Sequence, residues 1–264
     1  MELSAATAAA EILAQARRDK TTIESLPDHL QPQNLDDAYE IQKALIPLIE
    51  DLSNGKAAGY KAGATTEEAQ HNFGLHTPFR GVLVSSYMLE NGATILASDC
   101  SFRILEAEFA FRLSEDLPAA AAPYDLGGVQ AAVGSVMTSI EVVDLRYEGG
   151  MAAGGLQIVA DNSAAGYWIK GSDIEDLDAV NFEDWPVTLH INGAQAAEGN
   201  ASNVLGNPFN SLTWLANYLC QQGGGLKAGD IVMTGTCTGM TPLNPGDEAV
   251  GDFGPIGEVR ARFV

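Results

Sequence analysis

Two glutamates that alternate along one short stretch of the chain are the first candidates for chemistry. Glu106 and Glu108 lie in the apolar segment Arg103–Leu113, where the period of two of a β-strand would turn both side chains toward one face. Residues two apart on a strand are separated by about 6–7 Å at the backbone, so both carboxylates could bind one cation. The alternative is the solvated acidic face of a half-exposed strand, which is the commoner origin of an isolated Glu-x-Glu pattern.

A third acidic residue occurs in an unusual setting. Glu141 lies within Ser139–Leu145, a β-branched run that predicts a strand. An acidic side chain among isoleucine and valine is unusual unless it has a partner. Glu141 is therefore either a cation ligand or an exposed residue near the end of a strand.

A lone lysine lies in a glycine-rich segment of a chain that has few cations. Lys61 is flanked by Gly59 and Gly63, and glycine permits the close approach of a ligand or of another backbone. Such a lysine could supply a positive charge for a substrate carboxylate. The alternative is a solvated lysine near a turn.

A possible acid–base pair follows. The segment Thr66–His71 predicts a helical turn with Thr66 as its N-cap. Glu67 and Glu68 precede His71 by four and three positions, so either could orient the imidazole if the segment is helical. A pair of solvated surface residues is the alternative interpretation.

The overall composition restricts the possible partners. The 264 residues include 14 Lys and Arg but 35 Asp and Glu, and the formal charge is −21. This charge argues against a nucleic-acid-binding or anionic-membrane-binding surface. The three cysteines have no paired spacing, and no run of about 18 apolar residues occurs. We therefore expect a cytoplasmic enzyme or binding protein.

The pattern of elements suggests two regions. Apolar residues with a helical period predict helices over Ser4–Arg18 and Leu35–Glu50, and Pro47 is expected to bend the second helix or end it early. Short β-type runs dominate afterwards. We therefore expect a helical N-terminal region over residues 1–55 and a β-rich catalytic domain over residues 56–264.

Three further elements are predicted within the β-rich part. Val129–Met137 is small and apolar, which suggests a short helix. Asn192-Gly193 predicts the turn of a β-hairpin, and the apolar stripe of Phe209–Gln222 predicts a helix.

Taken together, the order and spacing of several short motifs resemble a known family from about Leu35 to Val264. The group is that of the 2-keto-4-pentenoate hydratases and 4-oxalocrotonate decarboxylases, within the fumarylacetoacetate hydrolase superfamily. The motifs are Gly59-Tyr60-Lys61-x-Gly63, Glu106-x-Glu108, Glu141-x-x-Asp144, Asp161-Asn162-x-Ala164-x-Gly166, Gly206-x-Pro208 followed by Trp214-Leu215-Ala216-Asn217, and Asp230-x-Val232-x-x-Gly235-Thr236.

The resemblance implies an α+β fold, a mixed β-sheet roll with the helical N-terminal region packed outside. It also implies a divalent cation, Mg²⁺ or Mn²⁺, held by Glu106, Glu108 and Glu141. Oxygen ligands suit such hard cations, and one cation would explain both the like-charged pair and the glutamate among isoleucine and valine. The implied partner is a small 2-oxo acid substrate, and the implied assembly is a homo-oligomer.

The resemblance also assigns roles to other residues. Lys61 would contact the carboxylate or enolate oxygen of the substrate, and Thr236 and Thr238 would hold the far side of the carboxylate. Asn162 and Ser163 would orient a neighbouring group. The implied activity is that of a lyase acting through a metal-stabilised enolate, by hydration of 2-hydroxypentadienoate or decarboxylation of 4-oxalocrotonate.

One departure from the group bears on the reaction. Hydratases of the group tend to carry acids where this chain has Phe79, Ser85 and Ser86, and neither side chain can act as a carboxylate base. Decarboxylation needs mainly an electron sink, so it suffers less from this change.

Two other functions are compatible with the same residues. One is an acylpyruvate-type C–C bond hydrolase, in which His71 with Glu67 or Glu68 would activate water. The other is a metal-dependent protein that binds a 2-oxo acid without turnover.

Overall fold

Two packed helices form the N-terminal part of the chain. In the computed structural model, which describes residues 1–264, α1 spans Leu3–Asp19 and α2 spans Leu35–Ser53. The side chain of Asn34 caps α2 by accepting a hydrogen bond of 2.9 Å from the backbone N–H of Asp37. Both predicted helices are confirmed, and each extends slightly beyond its predicted bounds.

Of the two expected effects of Pro47, a bend or an early end of the second helix, the early end is wrong, because α2 continues to Ser53. A proline inside a helix removes one backbone hydrogen bond and costs about 3 kcal/mol or more. Leu45 and Ile49, on either side of the proline, are completely or almost completely buried in the apolar cluster that joins α2 to α1. Burial of these side chains outweighs the local cost.

Four further helices lie in the rest of the chain. They are α3 (Glu67–Asn72), α4 (Leu126–Ala131), α5 (Gly155–Ala160) and α6 (Pro208–Gln221). The predicted cap of α3 is confirmed, since the Thr66 hydroxyl accepts a hydrogen bond of 3.0 Å from the Ala69 N–H. The predicted helix over Val129–Met137 is wrong beyond Ala131, because a strand begins at Val133.

Fifteen strands complete the chain. In chain order they are β1 (Ala57–Gly63), β2 (Phe79–Val84), β3 (Met88–Glu90), β4 (Ala93–Ile95), β5 (Ile104–Leu113), β6 (Leu117–Pro118), β7 (Val133–Val143), β8 (Ala165–Ile174), β9 (Pro186–Ile191), β10 (Ala194–Asn200), β11 (Gly225–Leu226), β12 (Ile231–Thr236), β13 (Thr241–Pro242), β14 (Glu248–Asp252) and β15 (Glu258–Phe263).

The strands form two large mixed sheets and one small pair. The first sheet has the order β2-β1-β12-β5-β7-β8-β3, and β13 pairs with one end of β5. In this sheet β1 is parallel to β12, whereas β5 is antiparallel to both β12 and β7. The second sheet has the order β10-β9-β14-β15-β4, and β6 pairs with β11. This mixture of helices and mixed sheets confirms the α+β expectation.

The two faces of β5 have different surroundings. Leu105, Phe109 and Phe111 belong to the main apolar core, which β5 shares with the second sheet and α6. The Phe109 ring lies 5.2 Å from the Phe253 ring, measured between centroids, in an edge-to-face contact. Glu106 and Glu108 alternate with these residues, so the alternation along the predicted strand is confirmed.

A second apolar cluster joins the N-terminal helices to the first sheet. It contains residues of α1, α2 and α5 together with Phe79 and Val143 from the sheet. The N-terminal helices therefore pack against the first sheet. The division into regions 1–55 and 56–264 stays a prediction. No helix has both the length and the apolar character that a membrane span requires.

Candidate active site

Three carboxylates meet on the first sheet. Glu106 on β5 lies directly opposite Glu141 on β7, and Glu108 lies opposite Ser139. One carboxylate oxygen from each glutamate falls within 4.8 Å of those of the other two. The sequence-based expectation that Glu106, Glu108 and Glu141 come together is therefore met by the geometry.

Burial makes this arrangement costly without a cation. Glu108 and Glu141 are each 1% exposed, and Glu106 is half-buried. Burial, followed by the charge of Glu141, raises the pKa of Glu106 to about 7, and burial also raises the pKa values of Glu108 and Glu141. Oε2 of Glu141 accepts no hydrogen bond. A buried group of oxygen donors with an unpartnered acceptor fits a hard divalent cation such as Mg²⁺.

Lys61 supplies the positive charge beside the carboxylates. Its Nζ lies 2.7 Å from Oε1 of Glu141 and donates a hydrogen bond of 3.2 Å to the backbone carbonyl of Ser163. Lys61 is 3% exposed, so it is not a solvated lysine. Burial alone would lower its pKa, but the charges of Glu141, Glu106 and Glu108 raise the pKa above its ordinary value. The side chain is therefore an ammonium ion.

A left-handed turn presents the Ser163 carbonyl to Lys61. Asn162, Ser163 and Ala164 have φ values of 50°, 56° and 57°, which non-glycine residues seldom adopt. The Asn162 side chain accepts a hydrogen bond of 2.8 Å from the Val82 N–H and donates one of 2.9 Å to the Val82 carbonyl. Both polar atoms of Asn162 thus hold β2, and its influence on a ligand would be indirect, as expected for an orienting residue.

The hydroxyl of Ser163 is also used within the protein. It donates a hydrogen bond of 2.5 Å to the backbone carbonyl of Arg80. Ser163 nevertheless lines the cavity that is described below, and its predicted role near the substrate stays a prediction.

The end of β12 and the loop that follows it close another side of the site. The Gly235 N–H donates a hydrogen bond of 2.9 Å to Oε2 of Glu108. The Thr236 hydroxyl accepts a hydrogen bond of 2.9 Å from the Gly239 N–H, and the Thr238 hydroxyl accepts one of 3.3 Å from the Ala107 N–H. Both threonines line the cavity, where their hydroxyl groups can also contact a ligand.

Several of these groups line a cavity of about 690 Å³, which suits a small organic ligand. Its polar end is formed by Lys61, Glu106 and the two threonines. The rest of the wall contains an apolar group of residues, here called the apolar wall: Phe73, Phe79, Val143, Met151, Ile158 and Met240.

His71 does not join this site. It is exposed on α3, makes no hydrogen bond to Glu67 or Glu68, and does not line the cavity. Glu67 is also exposed and outside the lining, whereas the exposed Glu68 reaches the mouth of the cavity. The structure does not bring the predicted Glu-His pair together.

The three positions that depart from the hydratase pattern lie in two places. Phe79 lines the cavity, but Ser85 follows the other end of β2, about 20 Å further along the strand direction. The Ser85 hydroxyl accepts a hydrogen bond of 3.0 Å from the Lys56 N–H, and Ser86 donates one of 2.7 Å to Ser53. Only Phe79 therefore bears on the chemistry of this site.

Sequence reasoning missed the apolar wall. It expected backbone donors around Gly235 to hold the substrate carboxylate, and it missed that the Gly235 N–H holds Glu108. Val143 could have been found, because it lies two residues after Glu141 on the same predicted strand and therefore on the same face. The other apolar residues come from separate elements and carry no local signal.

Comparison with known proteins gives the same family as the motifs. Residues 58–264 match the fumarylacetoacetate (FAA) hydrolase C-terminal family. The 4-oxalocrotonate decarboxylase of Pseudomonas putida is 31% identical over 97% of this chain and 96% of its own length. The 2-keto-4-pentenoate hydratase 1 of Dechloromonas aromatica is 30% identical over 97% and 96% of the two chains.

A solved structure confirms the fold. The 4-oxalocrotonate decarboxylase from Pseudomonas putida G7, complexed with magnesium and adipate, superposes with a TM-score of 0.93 and 29% sequence identity. The match covers 100% of this chain and 99% of that chain. The mixed-sheet roll expected from the motifs is therefore present, and the chain belongs to the FAA hydrolase family, close to its 4-oxalocrotonate decarboxylases and 2-keto-4-pentenoate hydratases.

Proposed function

We propose that the protein is a divalent-metal-dependent lyase that acts on a small 2-oxo acid. The observation that carries this proposal is the group of three carboxylates beside the buried ammonium of Lys61, at the polar end of a cavity of about 690 Å³. The relatives named as decarboxylases and hydratases, and the magnesium in the similar solved structure, support it.

Glu106, Glu108 and Glu141 would hold the cation, which we propose to be Mg²⁺ or Mn²⁺. When bound, such a cation supplies Lewis-acid polarisation of substrate oxygens and offsets negative charge that develops on them. The Gly235 N–H keeps Glu108 oriented, and the ion pair with Lys61 keeps Glu141 oriented. These contacts leave Oε2 of Glu141 without a protein donor.

Lys61 would stabilise the oxygen that gains charge in the reaction. Its ion pair with Glu141 favours the protonated form, so Lys61 would serve as a hydrogen-bond donor. Thr236 and Thr238 would hold the substrate carboxylate, since both line the polar end of the cavity. Asn162 and Ser163 would fix the turn that receives Lys61.

The apolar wall favours decarboxylation over hydration. Apart from Lys61, no Lys or Arg lines the cavity, and the only carboxylates in the lining belong to Glu106 and the exposed Glu68. A second carboxylate at the far end of a substrate such as 4-oxalocrotonate would meet the apolar wall and uncharged polar groups such as Asn72 and Asn203, without a cationic partner. Conversion of that anion to neutral CO₂ relieves the cost of its desolvation. The electron pair of the broken C–C bond moves through the carbon–carbon double bond onto the 2-oxo oxygen.

Hydration of 2-hydroxypentadienoate is the second candidate reaction, and it is supported by the hydratases among the relatives. The same cavity would accept this shorter substrate, whose tail is uncharged.

We also propose a homo-oligomer located in the cytoplasm. Size-exclusion chromatography with light scattering would test the assembly, and cell fractionation would test the location.

The decisive experiment is an assay of metal-depleted protein before and after addition of Mg²⁺. We expect Mg²⁺-dependent release of CO₂ from 4-oxalocrotonate, and slower or no hydration of 2-hydroxypentadienoate. Turnover of neither substrate by the Mg²⁺-loaded protein would overturn the lyase proposal. If oxalate nevertheless bound in a Mg²⁺-dependent way, the binding-protein alternative would replace it.

A further inference from the structure

The N-terminal helices do not line the cavity, since no residue before Lys61 belongs to its wall. They nevertheless contact the left-handed turn Asn162–Ala164 and the residues just before it. We propose that Arg17 on α1 is a positioning residue, which acts through Asp161 and this turn to keep the Ser163 carbonyl against Lys61. The proposal deepens the proposed function and rests on it for the role of Lys61 in turnover, but not for its role in ligand binding.

The turn requires external support because its conformation is strained. Each non-glycine residue in the left-handed region costs roughly 1–2 kcal/mol, and three such residues follow one another here. Backbone of this kind persists only where the surrounding structure fixes it, and it is concentrated at functional sites. The contacts around the turn should therefore decide where the Ser163 carbonyl lies.

Arg17 makes the strongest of these contacts. Its Nη2 lies 2.7 Å from Oδ1 of Asp161, its Nε lies 3.2 Å from the same oxygen, and Nη2 also donates to the Asp161 backbone carbonyl at 3.3 Å. Asp161 is fully buried and directly precedes the turn. Its other carboxylate oxygen accepts a hydrogen bond of 2.7 Å from the Arg146 N–H. The start of the turn is thus fixed from two sides.

A second contact comes from α2. The Nε2 group of the buried Gln42 donates hydrogen bonds of 2.9 Å to the Val159 carbonyl and 3.0 Å to the Arg80 carbonyl. Val159 precedes the turn, and the Arg80 carbonyl also accepts the Ser163 hydroxyl. Gln42 therefore links Val159, which lies before the turn, with β2, against which the turn packs.

The contacts form a continuous path from α1 to the ammonium of the site. Arg17 holds Asp161, the turn that follows Asp161 contains Ser163, and the Ser163 carbonyl accepts the hydrogen bond from Lys61. The other close contact of Lys61 is Glu141. If the turn relaxed, Lys61 would keep only its carboxylate partner and would lose the neutral acceptor that sets its position.

A double-mutant cycle tests this proposal. Arg17→Met and Lys61→Met are made singly and together, with Arg18→Met as the matched control, because Arg18 is the exposed neighbour on the same helix. Two quantities are measured in the presence of Mg²⁺: kcat of the lyase reaction, and the affinity for oxalate by calorimetry. We expect Arg17→Met to lower kcat about 10- to 100-fold, to weaken oxalate binding, and to have no further effect in the Lys61→Met protein.

Losses that multiply in the double mutant would overturn the proposal, because they would show that Arg17 acts independently of Lys61. An effect of Arg18→Met equal to that of Arg17→Met would do the same. The oxalate measurements remain valid without turnover, so failure of the lyase proposal is distinguishable from failure of this one. If Arg17→Met does not fold, Gln42→Leu enters the same cycle, and we again expect no further effect once Lys61 is replaced.

Discussion

Lys61 and Glu141 form an ion pair of 2.7 Å although their strands are not neighbours in the sheet. Lys61 lies on β1 and Glu141 on β7, and β12 and β5 lie between them. Three strand spacings amount to about 14 Å in a flat sheet. Side chains stand roughly perpendicular to a flat sheet and would not meet across it, so the first sheet curls, and its concave face brings the ammonium and the three carboxylates together.

Removal of the ammonium should separate metal binding from turnover. In Lys61→Met, we expect Mg²⁺ to bind at least as tightly as in the wild type, because a neighbouring positive charge repels the cation. Turnover should fall at least about 100-fold, since a donor to the developing negative charge is lost. Calorimetry with Mg²⁺ and kinetic assays measure the two effects. Lys56→Met, which removes an exposed lysine, should change neither.

Replacement of one carboxylate should remove most of the stabilisation that the metal provides. For the wild type, saturating Mg²⁺ at about 100 times its Kd should add about 2.7 kcal/mol to the free energy of unfolding, or roughly 5–10 °C in Tm. In metal-free protein at pH 8, Glu106→Gln should raise Tm, because three crowded carboxylates become two.

Mg²⁺ should then produce little further stabilisation of the Glu106→Gln protein. Thermal unfolding followed by circular dichroism, with and without Mg²⁺, measures both effects. The control is Glu90→Gln, an exposed strand glutamate outside the site, which should keep the full metal-induced shift. A metal-free Glu106→Gln protein with a clearly lower Tm would contradict the crowded-carboxylate explanation.

Replacement of His71 by alanine should leave the lyase activity within about a factor of three of the wild type. Its side chain is exposed and lies outside the cavity lining, and exposed substitutions of this kind usually change little. Steady-state kinetics with 4-oxalocrotonate provide the measurement. A large loss of activity toward an acylpyruvate would instead revive the hydrolase interpretation.

A positive charge in the apolar wall should improve binding and slow the reaction. In Met151→Lys, the new ammonium would pair with the far carboxylate of 4-oxalocrotonate before it leaves as CO₂. Because this contact stabilises the bound substrate more than the transition state, we expect both KM and kcat to fall, kcat by about tenfold. Met151→Gln, which is similar in size but uncharged, should leave KM largely unchanged. A rise in kcat in the lysine variant would argue against a role for the apolar wall in decarboxylation.

A methyl group at Gly235 should shift the backbone N–H that holds the Glu108 carboxylate. Gly235 has φ of +117°, and an added Cβ would lie 2.3 Å from the hydroxyl oxygen of Thr65. We expect Gly235→Ala to lower the free energy of unfolding by about 1–3 kcal/mol and to weaken Mg²⁺ binding, since the Gly235 N–H holds Glu108.

Gly239→Ala is the matched control for this substitution. Gly239 lies four residues later, just after β12, and also has positive φ, but an added Cβ there meets no atom within 4 Å. Denaturant unfolding and Mg²⁺ titration compare the two variants. Equal effects on Mg²⁺ affinity would show that the close contact with Thr65 is unimportant.

Local sequence signals identified most of the elements correctly. The alternation around Glu106 and Glu108 predicted the two faces of β5, and Asn192-Gly193 predicted the hairpin between β9 and β10. Such patterns suffice because a strand face or a tight turn is determined by neighbouring residues.

Local sequence patterns gave wrong or no predictions where contacts between distant parts of the chain decide the structure. Val133–Met137 has small apolar residues without a clear period, and it becomes a strand because it pairs with β5, with Val136 opposite Phe111. In the same way, no local pattern places Lys61 next to Glu141, because that contact depends on the order of four strands. The resemblance to a known family supplied that part of the site.

Ser85 and Ser86 also show that a local pattern in the sequence does not reveal which residues reach the cavity. Their positions in the sequence are close to Phe79, but an extended strand carries them to the opposite end of β2. Proximity along a strand therefore did not mean proximity to the cavity.

The position of β12 also has a consequence for the order of events during protein synthesis. β5 and β7 are near in sequence and can pair as soon as both have left the ribosome, which brings Glu106 and Glu141 together. Lys61 is made earlier, but β1 reaches these strands only through β12, which ends at Thr236. The nascent chain therefore carries its acidic cluster while the 93 residues from Asp144 to Thr236 are made, before the neutralising lysine can dock.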